Sequence, residues 1–235
     1  MTEKQMITRE QYHFLRNLEE FQHFSIEQFD QLVARIHYRK VPKGQILFFE
    51  DDIRDKLFLI FSGYVKVEQH DSSGTFLYID YVKKDRVIPY GGMFQDERYH
   101  FSGLAITDVE YFTLPTDLYE KFCLTNVHQM KMLYQRLSRL LHVHEIRLRN
   151  MVTSSAIERV TQALAILLYD ICDKNEGKVQ LPFAITTIDI ANMSGTTRET
   201  VSHVLRQLRK EGVIEMEKHH LTFCDKEYFL QYIKW

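Results

Sequence analysis

Read along the chain, the apolar positions change their period three times. "SIEQFDQLVARI" carries Ile26, Phe29, Leu32, Val33 and Ile36 at helical spacing behind a capping Ser25. From about 36 to 118 the pattern breaks into short alternating or continuous runs such as "IHYRKVPKGQILFFEDD", "LFLIFSGYVKVEQH" and "LAITDVEYFTL". Lys43-Gly44, Ser62-Gly63 and Ser73-Gly74 punctuate these runs, and Val, Ile, Tyr, Phe and Thr fill them, which predicts a small antiparallel sandwich or roll. From about 126 the spacing becomes that of a heptad. Val127, Met130, Tyr134, Leu137, Leu141, His144, Leu148 and Met151 follow at alternating steps of three and four. Such a seam predicts a long helix paired with its copy in a parallel homodimer, with Leu133 and Leu140 on a flank that packs on the sheet domain and His144 facing its twin. A second helix follows, capped by Ser154 or Ser155, with Ile157, Val160, Leu164, Leu167 and Leu168 facing a core.

The last third holds the most specific pattern. Thr186 and Asp189 have capping-box spacing, with Ile185 and Ile190 at the staple positions, so a helix starts there and runs until Gly195 turns the backbone. Thr197 caps the next helix, whose Val201, Val204, Leu205 and Leu208 form an apolar stripe. Arg198, Glu199, Ser202, His203 and Arg206 occupy the other side. Two short helices around a glycine turn are the helix-turn-helix signature, and "EGVIEMEKHHLTF" supplies a wing bearing Lys218. On this reading Arg198, Glu199, Ser202 and His203 meet base edges, while Thr186, Thr197, Thr200, Arg206 and Lys218 hold phosphates or support the contact.

Composition constrains this reading in two ways. The net charge of the 235-residue chain is −2, which excludes a broad indiscriminate nucleic-acid surface; residues 196–210 nevertheless carry four bases and one acid, a local +3. Three cysteines, with no Cys-x-x-Cys pair, predict buried reduced thiols and no metal site. No apolar run is long enough for a membrane span, and the first residues lack a signal-peptide core, so a cytoplasmic protein with no membrane partner is expected. A Walker loop, His-Glu-x-x-His and Gly-x-Ser-x-Gly are all missing, so no enzymatic activity is expected.

The strand-rich roll, seam helix and winged helix-turn-helix, in that order, resemble the CRP/FNR family of bacterial transcription regulators. "TRETVSHVLRQLRKEGVI", "VPKGQILFFEDD", "LFLIFSGYVKV" and "YGGMF" carry the likeness. It implies an α+β chain: an effector-sensing, cyclic-nucleotide-binding-like β-roll at 1–125, a dimerisation helix at 126–152 and a DNA-binding winged helix-turn-helix at 153–235. It also implies a homodimer on a palindromic double-stranded operator and contact with RNA polymerase, with Arg198, Glu199, Ser202 and His203 at the base-reading positions. Members that bind cyclic AMP have Gly-Glu before the "YGGMF" segment and Arg-Ser after it. This chain has Pro89-Tyr90, then Tyr99-His100 or His100-Phe101, so both charged contacts are altered. Iron–sulfur members use four cysteines, and this chain has three. The expectation is therefore an unidentified effector other than these two, with the segments around Tyr90 and His100 as candidate sites and haem ligation through His100 or another roll histidine as an alternative. "LAITDVEYFTLP" is similar to regulators of arginine deiminase operons. A competing reading keeps the helix-turn-helix as scaffold in a ligand-binding or protein-interaction module.

Overall fold

The computed structural model describes residues 7–70, 77–153, 155–172 and 177–233; the cap candidate Ser154 and the Ser73-Gly74 turn lie outside them. Packing divides the chain into two compact units. The first comprises the described residues up to Gln69 with Val82–Leu141, and the second His70–Tyr81 with the residues from His142 onward.

The first unit opens with two helices, α1 (Arg9–Asn17) and α2 (Ile26–Val33), each started by a complete capping box: Thr8 with Gln11, and Ser25 with Gln28. The Ser25 cap matches the sequence expectation, to which the structure adds the Gln28 half of the box. The α1 helix went unanticipated, although "TREQ" carries the same signature. Eight strands follow: β1 (His37–Val41), β2 (Ile46–Phe48), β3 (Lys56–Ser62), β4 (Val65–His70), β5 (Leu77–Val82), β6 (Arg86–Ile88), β7 (Ser102–Ala105) and β8 (Val109–Pro115). They form two four-stranded sheets, β1-β8-β3-β6 and β2-β7-β4-β5; β1 with β8, β2 with β7, β3 with β6 and β8, and β4 with β7 pair antiparallel, as the short punctuated runs predict.

The apolar run of β3 explains how two layers share one strand. Leu57, Phe58, Leu59 and Ile60 are all buried. Side chains alternate across a strand, so Leu57 and Leu59 join Phe112 and Leu114 of β8 in a core with Leu15, Phe21, Phe24, Phe29 and Leu32. Phe58 turns the other way, stacking on Phe48 at 4.7 Å and meeting Tyr111 at 5.7 Å. Helix α3 (Thr116–Leu124) closes the unit with Tyr119 and Phe122 in the first core.

Helix α4 (Val127–Thr153) is the predicted long helix, 27 residues and about 40 Å. Its heptad positions divide in two. Val127, Tyr134, Leu141 and Leu148 are 80%, 71%, 59% and 65% exposed, whereas Met130 and Leu137 are half-buried against the roll core. Exposed Val152 extends the first set. The flank also departs from expectation: Leu133 is buried, but Leu140 is exposed. His144 lies beside Tyr78, with ring centroids 6.3 Å apart, and not on the exposed stripe. The reason is the β4–β5 hairpin, whose Tyr78 and Asp80 reach α4; Asp80 pairs with Arg147 at 3.2 Å. Burial and, secondarily, the Arg147 charge lower the His144 pKa, against the opposing pull of Asp80.

In the second unit, α5 (Ala156–Asp170) begins with a capping box between Ser155 and Glu158, and buries Val160, Leu164, Leu167 and Leu168. Ile157 is the exception, exposed in the first turn and outside the expected stripe. β9 (Val179–Gln180), α6 (Thr187–Ser194), α7 (Arg198–Lys210), β10 (Ile214–Glu217), β11 (His220–Phe223) and α8 (Lys226–Leu230) complete the chain, with strand order β10-β11-β9. Cys123 and Cys172 are buried thiols outside any disulfide, as expected, while Cys224 is half-exposed.

Two outcomes follow from this packing. Phe112 is fully buried and touches the rings of Tyr38 and Phe61 at 5.3 and 5.7 Å, so Phe112→Ala should lower unfolding stability by about 3–5 kcal/mol in urea titration. The lowered His144 pKa means that the unfolded chain takes up this proton first, so the group's contribution is present at higher pH and is lost as pH falls. His144→Gln should therefore flatten the decline in stability between about pH 7 and pH 5; an unchanged slope would refute that assignment.

Candidate nucleic-acid interface

The interface is built from a cap, a turn and a stripe. Thr186 Oγ1 accepts from the Asp189 backbone N–H at 3.1 Å, while Asp189 Oδ2 accepts from the Thr186 N–H at 3.1 Å and its hydroxyl at 2.7 Å. These bonds satisfy N–H groups that a helix start leaves without partners. Ile185 and Ile190 beside them are fully buried. Gly195 ends α6 at φ 55° and ψ 45°, the left-handed conformation that glycine adopts without a Cβ clash, and its N–H bonds back to Ala191 and Asn192.

Thr197 then caps α7, accepting from the Thr200 N–H at 3.3 Å. Val201, Val204, Leu205 and Leu208 are all at most 5% exposed, so one face of α7 is fixed in the core. On the other face Arg198, Glu199, His203 and Arg206 are exposed and Ser202 is half-exposed. The structure thus brings the four predicted base-reading residues together along one edge. Arg206 folds back, its Nε donating to the Ser202 carbonyl at 3.2 Å. The backbone N–H of Glu199 itself, and after it the Thr197 side chain, hold the Glu199 carboxyl below the usual carboxylate range, so it stands as an anion at neutral pH. Thr186, Thr197 and Thr200 sit at the helix starts, but their hydroxyls already serve the caps.

The wing is the β10–β11 hairpin, with Ile214 opposite Phe223 and Glu217 opposite His220. Its two-residue turn, Lys218 and His219, takes positive φ at both positions, the twist that tight hairpins favour, without the usual glycine or asparagine. Lys218 is exposed at the tip, and the His219 carbonyl accepts from the Ile185 N–H at 2.9 Å, tying the tip to the segment that enters α6. Sequence reasoning missed Arg159 of α5. Its Nε donates to the Ser194 carbonyl at 2.9 Å and its Nη2 to the Gly195 carbonyl at 3.1 Å. Its partners lie 35 and 36 residues away, so no local pattern signals it.

In the first unit the two candidate effector segments engage different partners. The Tyr90 hydroxyl donates to Glu20 Oε1 at 2.7 Å and accepts from Arg136 Nη1 at 2.8 Å. Glu20 and Arg136 are buried and in direct contact; Arg136 also donates to Glu19 at 2.6 Å, and the Gln129 amide to the Glu20 carbonyl at 2.6 Å. Burial raises the Tyr90 pKa well above its ordinary value, keeping the hydroxyl protonated. His100 is exposed, 3.0 Å from Asp96. Arg98 donates to the Asp51 carbonyl and, with Arg35, Arg54, Lys56 and Asp117, lines an open cleft of about 830 Å³. These side chains do not fit cyclic AMP as the family resemblance describes it: Tyr90 replaces the carboxylate and is already bonded, and Arg98 is bonded to backbone on the cleft. Among the described residues no group of three or more His, Cys, Asp or Glu could hold a metal ion, and no helix is long and apolar enough to cross a membrane.

A strand roll followed by a capped helix-turn-helix and wing defines a DNA-binding transcription regulator. The chain matches the cyclic nucleotide-binding domain family over residues 38–126 and the Crp-like helix-turn-helix domain family over residues 158–232. It belongs to the CRP/FNR family of transcription regulators, whose members are regulators and not enzymes. Among its relatives, the HTH-type transcriptional regulator ArcR of Staphylococcus epidermidis is 27% identical over 75% of this chain and 77% of its own length. That match accords with the subfamily likeness in residues 104–115. The global nitrogen regulator of Synechococcus elongatus is 23% identical over 80% of this chain and 85% of its own. In fold the chain is similar to FixK2 of Bradyrhizobium japonicum, with a TM-score of 0.71 at 19% identity over 85% of this chain and 98% of that one.

Proposed function

We propose that the protein acts as a homodimer that sets two copies of α7 into successive major grooves of a two-fold-symmetric operator, under control of a signal received by the roll. The observation that carries this reading is α7 itself. Its apolar residues are fixed in the core, while Arg198, Glu199, Ser202 and His203 stand together on the free edge. Arg can pair with guanine in two bonds, Glu can accept from the cytosine amino group, and Ser and His can bond either edge. Arg206 and Lys218 would add phosphate contacts, and Thr186, Thr197 and Thr200 support them by fixing the helix starts.

Dimer pairing would run along Val127, Tyr134, Leu141, Leu148 and Val152. The exposure of these apolar groups supports it, whereas Met130, Leu137 and His144 serve the protomer's own packing. In this reading 1–125 senses, 126–152 pairs and 153–235 binds DNA, in the cytoplasm and in contact with RNA polymerase. Two relatives carry cyclic AMP in their names, the CRP-like cAMP-activated global transcriptional regulator of Mycobacterium tuberculosis and the cyclic AMP receptor protein of Thermus thermophilus. The Tyr90–Glu20–Arg136 cluster supports a different signal here.

Selection of bound duplexes from a random pool with purified protein should enrich a palindrome with half-sites about one helical turn apart. Enrichment of no site would favour the scaffold reading. Glu199→Ala should relax preference at one position of each half-site by about 1–3 kcal/mol and leave binding to unrelated DNA unchanged; equal loss on every sequence would remove its base-reading role. Leu141→Glu combined with Leu148→Glu should give a monomer in sedimentation, and a persisting dimer would place the pairing surface elsewhere.

A further inference from the structure

We propose that Arg159 is a positioning residue for DNA recognition: from α5 it clamps the α6–α7 turn, and so fixes the angle at which α7 presents its polar edge. The proposal rests on the reading of α7 as the base-reading helix. The last carbonyls of any α-helix have no partners within it, and a left-handed glycine turn satisfies only some of them. At the end of α6 the Gly195 and Thr196 N–H groups bond back to Ala191 and Asn192, so the Ser194 and Gly195 carbonyls point onward. The guanidinium of Arg159 bonds both, at 2.9 and 3.1 Å, with a planar fork and a positive charge at the negative end of the α6 dipole. Ser194 is 2% exposed, and its own hydroxyl is spent on the Ile190 carbonyl at 2.7 Å, so it offers no substitute.

The leverage follows from length. Helix α7 begins three residues after Gly195 and has 13 residues, about 20 Å. A tilt of roughly 10° would move one of its ends by about 3 Å, more than the range over which a hydrogen bond to a base edge survives. The apolar stripe of α7 resists sliding out of the core, but a stripe tolerates small rotations that a bidentate clamp at the turn does not. Met151, at the end of α4, lies beside the same turn: its Cε is 3.8 Å from where a Cβ on Gly195 would stand.

The test uses the full-length protein with Arg159→Gln and Arg159→Lys. Binding is measured on the selected operator and on a scrambled duplex of equal length, between 50 and 200 mM salt. Arg159→Gln should weaken operator binding about ten- to a hundredfold, as one or two lost base contacts would. Binding to the scrambled duplex should stay within about threefold and its salt dependence should be unchanged, because no phosphate contact is removed. Arg159→Lys should recover part of the operator affinity. Should circular dichroism show the Gln variant unfolded at the assay temperature, the Lys variant decides alone, with an expected operator-specific loss of about threefold or more. Equal loss on both duplexes with a shallower salt slope would make Arg159 a phosphate contact, and unchanged operator binding would leave it without a role; either overturns the proposal. If the wild-type protein selects no site, it is the base-reading assignment that has failed, a result distinct from both.

Discussion

Everything at the DNA-binding end depends on burying one face of a 13-residue helix while leaving its other face dry of partners. Val201, Val204, Leu205 and Leu208 do the first, contributing about 1.5–3 kcal/mol for each fully buried side chain. Because these four recur at helical spacing, the remaining positions of α7 are forced outward, and polar chemistry there is available to a ligand. The capped start of α6, the left-handed Gly195 and the wing tip bonded to Ile185 all restrict how that buried face can shift. The site is therefore a by-product of packing as much as of its own residues. This also resolves the charge balance: a chain of net −2 keeps a local +3 on residues 196–210, where helix geometry has already turned the cations toward solvent.

The parts of this arrangement that were legible in the sequence are those whose partners lie within a few residues. The caps at Ser25 and at Ser154 or Ser155, the box at Thr186, the turn at Gly195 and the stripes of α5 and α7 are local signals, and the geometry at Ser25, Ser155, Thr186 and Gly195 follows the local rule. The alternating runs of the roll gave strands for the same reason, though not their order, which joins β1 to β8 across some seventy residues. What stayed hidden depends on distant partners. Met130 and Leu137 fit a heptad as well as Leu141 does, and only the roll core beside them turns them inward. His144 is drawn to Tyr78, and Arg159 to the end of α6, by contacts that no periodicity encodes. Ile157 shows the opposite failure: its spacing is right, but its side chain stands exposed in the first turn of α5.

The half-and-half division of the α4 heptad also changes how that helix is to be understood. A seam with both heptad positions free would be a coiled coil held chiefly by its copy. Here one position anchors the helix to its own roll, and the other, Val127, Tyr134, Leu141 and Leu148, stays outside. The helix is thereby ordered within a single protomer, which leaves its exposed stripe pre-formed and reduces the ordering entropy that any association along it must overcome.

The buried cluster of Tyr90, Glu20 and Arg136 carries a consequence for how such a domain can diverge. Removing one member of a buried ion pair leaves the other charge without compensation, at about 3–5 kcal/mol, whereas replacing the set together by apolar groups of similar volume can be neutral or better. The three positions sit in the α1–α2 connection, the roll and α4, far apart in the chain, yet their side chains form one bonded cluster. A carboxylate at position 90 would set a second negative charge beside Glu20 around the one guanidinium, so that single exchange is costly unless Glu20 changes with it. The residue at position 90 is thus constrained by the charges packed against it inside the domain, before any other demand on that position.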